Sequence, residues 1–347
     1  MVKELLNTLY VTTERALVRL DGEALRVEAD GQKLALVPLH HLTGVVLLGG
    51  ASMTFPALAR CAADGRAVTS LSPSGKYQFR ISGPTCGNIL LRQAQWAALA
   101  DPARACGIAR NIVAGKIHNQ RHLLARAARD TRDDETEAHL RDAVAALGEL
   151  LLSLPLQTDL DGVRGVEGQA AAVYFGVFGE LIAAPTAAFS FKTRTRRPPR
   201  DRVNALLSFL YALLTTECVA ACEGVGLDPQ CGYLHCLRPG RPALALDIME
   251  EFRPLLCDRL ALTLINRRQI TPEHFDVREG AGESVLLTKD GRRAVLDAFR
   301  ARKQEEALHP FLKDRAPLGL LPHLQARLLA RHLRGDMAHY LPYVAAG

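Results

Sequence analysis

Short runs in which apolar and polar residues alternate fill the first 82 positions: LNTLYV, ALVRL, ALRVE, KLALVPL, TGVVLL, AVTSL and YQFRI, each bounded by turn-forming residues. A period of two predicts strands with one buried face. One helical stretch interrupts them, Phe55 to Ala63, with Thr54 placed as its N-cap and Gly65 as its stop. The segment SGPTCGN, residues 82 to 88, follows neither period and predicts a linker. Beyond it the spacing of apolar positions changes to that of helices. Asp101 followed by Pro102 is a helix start, and the pattern runs through Ile108, Ile112 and His122 to about Ala128. Further amphipathic runs cover 133–153, 166–183, 201–223, 242–265, 291–306 and 318–334, and FDVRE with SVLLT, 275–288, predicts a small hairpin. The expected fold is α+β in two domains: a β-rich, β-sandwich-like domain over 1–85 and a larger all-α domain over 86–347.

A chain of 347 residues, 48% hydrophobic, is long enough for two cores. No stretch approaches about 18 consecutive apolar residues, and the start MVKELLNTLYVTTERA lacks a secretory apolar core, so no membrane contact and a cytoplasmic location are expected. The eight cysteines are then reduced thiols. A zinc set of Cys218, Cys222, Cys231 and Cys236 is the competing reading, but its spacings are not those of paired CxxC knuckles. The net charge of +6 excludes little, because an even surplus only aids solubility. Its distribution says more: KTRTRRPPRDR, residues 192–202, sets Lys192, Arg194, Arg196, Arg197, Arg200 and Arg202 against Asp201 alone, which predicts phosphate contact. Aromatic residues make up 5% and do not interleave with that loop, so duplex backbone is favoured over stacked single strands. No phosphate-cradling or dinucleotide glycine loop is found, which disfavours nucleotide hydrolysis. His118 and His122 have a zinc-helix spacing without the following glutamate, and read as surface or DNA-facing.

The chemistry concentrates in GYLHCLRPGRPALALDIMEEFRP, residues 232–254. His235 lies in a Gly-rich loop, and Asp247 and Glu250 are three apart on the next helix, so they share a face; Glu251 points elsewhere. Asp247 sits among apolar neighbours, where an unpaired charge is costly. Glu167, read as an acid near the start of an apolar helix, is the third candidate. Each residue has a plain alternative: a dipole-complementing acid for Glu167, a backbone-bonded loop histidine for His235, an acidic exposed edge for Asp247 and Glu250. Together, two or three carboxylates with one imidazole suit Mg²⁺ or Mn²⁺ better than Zn²⁺.

LLNTLYVTT, LLRQAQW, ARNIVAGKIHNQR, VRGVEGQAAAVYF, RTRRPPRDRVNALLSFLYALL, the His235 block, RKQEEALHPF and ARLLARHLRGDMAHYLPY together resemble the CRISPR-associated adaptation integrase, the first-numbered Cas protein, most closely its subtype I-C form. The resemblance spans essentially the whole chain. It implies an N-terminal β domain that makes a homodimer and a helical catalytic domain with a metal site at Glu167, His235 and Glu250. Asp247 falls on an accessory acidic position. Arg194, Arg196, Arg197, Arg200, Asn204, Arg238 and Arg241 are the expected DNA contacts. The implied reaction is spacer acquisition: the 3′-hydroxyl of a short foreign DNA fragment attacks a phosphodiester at a CRISPR repeat, and the same site acts as an endonuclease when water attacks. The implied partners are double-stranded DNA, a second adaptation protein as a bridging dimer, and an accessory adaptation nuclease. A general metal-dependent nuclease for branched repair intermediates and a non-catalytic DNA scaffold remain alternatives.

Overall fold

The computed structural model describes residues 2–5, 8–42, 44–72, 77–84, 89–183, 187–196, 198–278 and 284–345. The chain opens with β1 (Val2–Leu5), β2 (Thr8–Val11), β3 (Leu17–Asp21), β4 (Ala24–Ala29), β5 (Gln32–Pro38), β6 (Gly44–Leu48) and β7 (Ser52–Met53), followed by α1 (Phe55–Ala63), β8 (Ala67–Leu71) and β9 (Tyr77–Ile81). They form two sheets, ordered β1-β2-β6-β8-β9 and β5-β4-β3-β7. In the first sheet β2, β6 and β8 run parallel, and β1 and β9 flank them antiparallel.

The period of two explains how the sheets pack. Leu9, Val11, Val45, Leu47 and Val68 point from the first sheet toward Val18, Leu25 and Val27 of the second, with Ala57 and Cys61 of α1 joining that core. The intervening residues Tyr10, Val46 and Leu48, with Leu71 beyond a register shift, face the other way into the large helical core. The central strands β2, β6 and β8 are thus buried on both faces. Polar contacts lock the junction: Tyr10 donates its hydroxyl proton to Glu217, whose Oε1 lies 2.6 Å from Lys303 Nζ, and Arg80 pairs with Glu223.

After Ile81 the chain is mainly helical: α2 (Ile89–Ala100), α3 (Pro102–Asp130), α4 (Asp134–Ser153), α5 (Leu160–Gly176), α6 (Arg202–Val225), α7 (Ala243–Phe252), α8 (Arg259–Asn266), α9 (Lys289–Gln304) and α10 (Leu321–Leu333). Aspartates cap four of them, Asp101, Asp133, Asp159 and Asp201, each accepting from first-turn backbone N–H groups. Thr54 holds the N-cap position of α1 without a side-chain bond. Three expectations need correction. The run 166–183 is a helix that begins at Leu160 and ends at Gly176, because Asp159 caps it and the glycines of LDGVRGVEG only weaken its signal. The run 242–265 is broken by a π-helical turn, Arg253–Asp258, where Pro254 removes a backbone donor. The larger part is also not all-α: β10 (Phe275–Arg278) pairs with β11 (Ser284–Leu287), as expected, and β12 (Glu306–His309) pairs with β13 (Asp314–Pro317), which was not.

Among the described residues, α6 is long and apolar enough to cross a membrane by length and composition. Most of its side chains, from Val203 to Cys222, are instead buried in the helical core. It is the central helix of that core.

Candidate metal and nucleic-acid site

Asp247 organises the site. It is fully buried on α7, and its carboxylate accepts from the backbone N–H of Tyr233 (2.5 Å), Leu234 (3.0 Å) and His235 (3.0 Å). It also lies 2.7 Å from Nδ1 of the His235 ring. A carboxylate accepts only, so Nδ1 donates, and Nε2 is left with its lone pair directed away from Asp247. That Nε2 lies 3.8 Å from Glu250 Oε1. The loop reaches this position because Gly232 packs against the start of α7, where an added Cβ would lie 2.5 Å from the Ala243 carbonyl carbon. Arg164 of α5 closes the other side, donating from Nε to the Leu234 carbonyl at 2.8 Å.

Glu250 is buried beside two cations. Arg253 Nη1 lies 2.7 Å from its Oε1, and Lys116 Nζ lies 2.8 Å from its Oε2. Burial alone would raise this carboxyl; the charges of Arg253 and Lys116 outweigh it and hold Glu250 down at about 2. Lys116, on α3 and itself buried, also pairs with Glu167 of α5. Glu167 lies two turns inside α5, not near its start, so complementing the helix dipole does not account for it. His235 and Glu250 therefore meet directly, and Glu167 meets Glu250 through the ammonium of Lys116.

The residue types fit a hard divalent ion: two carboxylates and an imidazole nitrogen, with Glu250 Oε2 a buried acceptor held by the Lys116 ammonium. Among the described residues no three His, Cys, Asp or Glu side chains close into a ready cluster. At these three, Lys116 occupies the space between the acids. Cys218, Cys222 and Cys231 are buried and Cys236 is exposed, and burial keeps the first three as thiols, unlike the thiolates zinc requires.

Glu251 points elsewhere, as expected. It accepts from Tyr340 Oη (2.5 Å), Tyr343 N (2.7 Å) and Gln325 Nε2 (2.9 Å). Asn119 of α3 holds the same segment, donating to the carbonyls of Glu251 (2.8 Å) and Tyr343 (3.0 Å). At Gly115 an added Cβ would come within 2.8 Å of Pro342. This packing sets the depth at which α3 presents Lys116 to Glu250.

The expected DNA contacts divide. Arg196, Arg200 and Arg238 are exposed, and Arg241 is half-buried, with Nη1 3.4 Å from the Cys236 carbonyl. Arg197 lies outside the described residues. Asn204 is fully buried and satisfied: it accepts from Arg194 Nη1 (2.6 Å) and Thr195 N (3.0 Å) and donates to the Thr193 carbonyl (2.8 Å) and Asp201 (2.5 Å). It cannot also contact DNA in this arrangement. Arg194 is a loop anchor too, bonded to Asn204 and Ser208 and stacked 5.2 Å from the Tyr211 ring centre, with Arg253 4.7 Å from the same centre. Sequence reasoning missed Lys116, Arg253 and Arg164. The readable signal for Lys116 is its place on the apolar stripe of α3, one turn from Ile112 and next to Ile117.

Residues 9–301 match the family model for CRISPR associated protein Cas1. The chain is similar to CRISPR-associated endonuclease Cas1 1 of Moorella thermoacetica, 49% identical over 340 residues (98% of each chain), and to CRISPR-associated endonuclease Cas1 2 of Rhodospirillum rubrum, 49% over 346 residues (99% of each). It also matches a Cas4 exonuclease/Cas1 endonuclease fusion of Geobacter sulfurreducens, 37% identical over 339 residues, covering 97% of this chain and 60% of the fusion. Among solved structures, a Cas6-RT-Cas1–Cas2 complex superposes with TM-score 0.83 at 26% identity, covering 100% of this chain and 37% of that one. A Cas1 protein from Thermotoga maritima superposes with TM-score 0.79 at 23% identity, covering 94% and 96%.

Proposed function

Since the chain belongs to the Cas1 family and is an integrase/endonuclease of CRISPR adaptation, we propose that Glu167, His235 and Glu250 form its metal centre, holding Mg²⁺ or Mn²⁺, and that phosphodiester transfer takes place there. The observation that carries this reading is the ring of His235, fixed by Asp247 with Nε2 turned toward Glu250 at 3.8 Å while Glu167 and Glu250 share one cation. A divalent ion bound by these groups supplies polarisation of the scissile phosphate and a lowered pKa for the attacking hydroxyl. The remaining work falls to the protein's own side chains. Asp247 keeps the imidazole in one tautomer and orientation, Arg253 holds Glu250 in place, and the exposed Arg196, Arg200 and Arg238 neutralise backbone phosphates.

The attacking group in integration is the 3′-hydroxyl of a short duplex fragment, and the target is a phosphate at the edge of a repeat; water in its place gives endonuclease cleavage. The relatives support the partner assignments. A Cas1–Cas2 complex is a structural neighbour and a Cas4 fusion is a sequence relative, which fits a second adaptation protein as bridge and an accessory nuclease. The exposed Leu34 and Leu36 on edge strand β5 support a homodimer made through the N-terminal half. The subtype I-C assignment rests on the full set of motifs named above, and a cytoplasmic setting follows from the family's role.

The test is strand transfer of a 3′-hydroxyl donor into a repeat-bearing duplex with Mn²⁺. Glu167→Ala, His235→Ala and Glu250→Ala should each abolish it, with duplex affinity changed only a few-fold. Wild-type turnover in all three ends the assignment, and equal cutting of any branched junction turns it toward repair.

A further inference from the structure

Both acids of the candidate metal centre converge on one lysine, Lys116. Its stem lies on the buried stripe of α3, its side chain is 4% exposed, and its Nζ pairs with Glu167 on α5 and with Glu250 on α7, 2.8 Å from Oε2. A lysine is seldom buried to this degree unless paired, and the buried carboxylate of Glu250 and the half-buried one of Glu167 both take their counter-charge from it. Lys116 and Arg253 match Glu167 and Glu250, with Asp247 a further carboxylate behind the His235 ring.

We propose that Lys116 is the resident counter-ion of the carboxylate pair: it holds Glu167 and Glu250 together in the metal-free protein, and a divalent ion enters only by displacing it. The inference rests on the reading of Glu167, His235 and Glu250 as a metal centre. The acids are pre-organised before metal arrives, because Lys116 keeps them from splaying apart by mutual repulsion. Metal affinity is also held down, since the ion must displace an ammonium and then share the site with it as a like charge. A dication added while Lys116 and Arg253 stay beside Glu167, Glu250 and Asp247 leaves an excess of positive charge, which a DNA phosphate relieves. Metal and DNA therefore bind with positive coupling, and by linkage each raises the other's affinity equally.

The experiment titrates Mn²⁺ alone, and Mn²⁺ with a short unreactive duplex, into the full-length wild type, Lys116→Met and Lys116→Arg, reading free Mn²⁺ by electron paramagnetic resonance and melting temperature in parallel. Lys116→Met should bind Mn²⁺ at least tenfold more tightly than wild type without DNA, gain less from the duplex, melt lower in EDTA and gain more on adding Mn²⁺. Lys116→Arg should stay near wild type. A purely structural lysine would lower Mn²⁺ affinity when replaced, so equal or weaker binding by Lys116→Met overturns the proposal. If Lys116→Met does not fold in EDTA, recovery on Mn²⁺ supports it and failure to recover overturns it. Glu250→Gln separates the two readings: Mn²⁺ binding by wild type that Glu250→Gln leaves intact removes the metal centre itself, whereas binding that depends on Glu250 but ignores Lys116→Met removes only the counter-ion.

Discussion

His235 and Asp247 are joined twice, through the ring Nδ1 at 2.7 Å and the backbone N–H at 3.0 Å, so one buried carboxylate fixes both the fold of the loop and the direction of its imidazole. An asparagine at 247 has the same size but only one accepting oxygen. Asp247→Asn should lower Mn²⁺ affinity and strand transfer by about 10–100-fold, the usual cost of losing the carboxylate behind a ligating histidine. A Mn²⁺ titration that matches wild type would reduce Asp247 to a loop anchor.

Gly232→Ala places a methyl 2.5 Å from the backbone carbonyl carbon of Ala243, with no flexible side chain there to yield. The expected loss is about 1–3 kcal/mol in denaturant unfolding. Strand transfer should fall as well, because the loop that carries His235 must lift from α7. A variant as stable and active as wild type would show that the loop adapts freely.

In the basic loop, Arg196→Ala and Arg200→Ala should each reduce the salt dependence of duplex binding, by about one unit of log–log slope for every phosphate no longer neutralised, without changing the melting temperature. Asn204→Ala should behave in the opposite way. It removes a buried side chain that accepts from Arg194 and Thr195, so melting falls first and DNA binding follows through a loosened loop. An Asn204→Ala protein that melts like wild type but no longer binds DNA would restore Asn204 as a direct contact.

Asp258 lies at the end of the π turn, buried and bonded to Tyr211 Oη (2.6 Å) and Tyr174 Oη (2.9 Å). Burial raises its carboxyl from 3.8 to about 6, against the pull of the two tyrosine hydrogen bonds and of Arg253 and Arg194. An acid raised on folding holds its proton longer in the folded state, so its contribution is present below pH 3.8 and lost as pH rises through about 6. The stability of wild type relative to Asp258→Asn should therefore fall by about 1–3 kcal/mol between about pH 4 and pH 7. Urea unfolding of both proteins across that range would show it, and a constant difference would mean that Asp258 is ionised throughout.

Much of the fold and site is legible in the sequence because local rules and tertiary structure agree. Period-two runs became strands, and the aspartates at 101 and 201 cap the helices that follow them. His235, Asp247 and Glu250 could be grouped because they lie in one block, two of them on one helical face. What stayed hidden depends on contacts distant in sequence. Lys116 meets its partners 51 residues away on α5 and farther along on α7, which no spacing rule encodes. The inward bonding of Asn204 and Arg194 was hidden for the same reason: charge composition marks a loop as basic but cannot say which of its polar side chains turn inward to shape it. The hairpin of β12 and β13 was obscured by neighbouring helical runs, and its four-residue strands carry too little pattern to compete with them.

The two-faced burial of the β2-β6-β8 sheet means that the chain cannot be divided at the β9–α2 junction into two well-behaved pieces. Severed there, the amino-terminal fragment would present Tyr10, Val46, Leu48 and Leu71 to water, and the carboxy-terminal fragment would be left with Lys303 and Glu217 stripped of their tyrosine. Each piece would aggregate in isolation, and co-expression of the two should recover a soluble complex where separate expression fails.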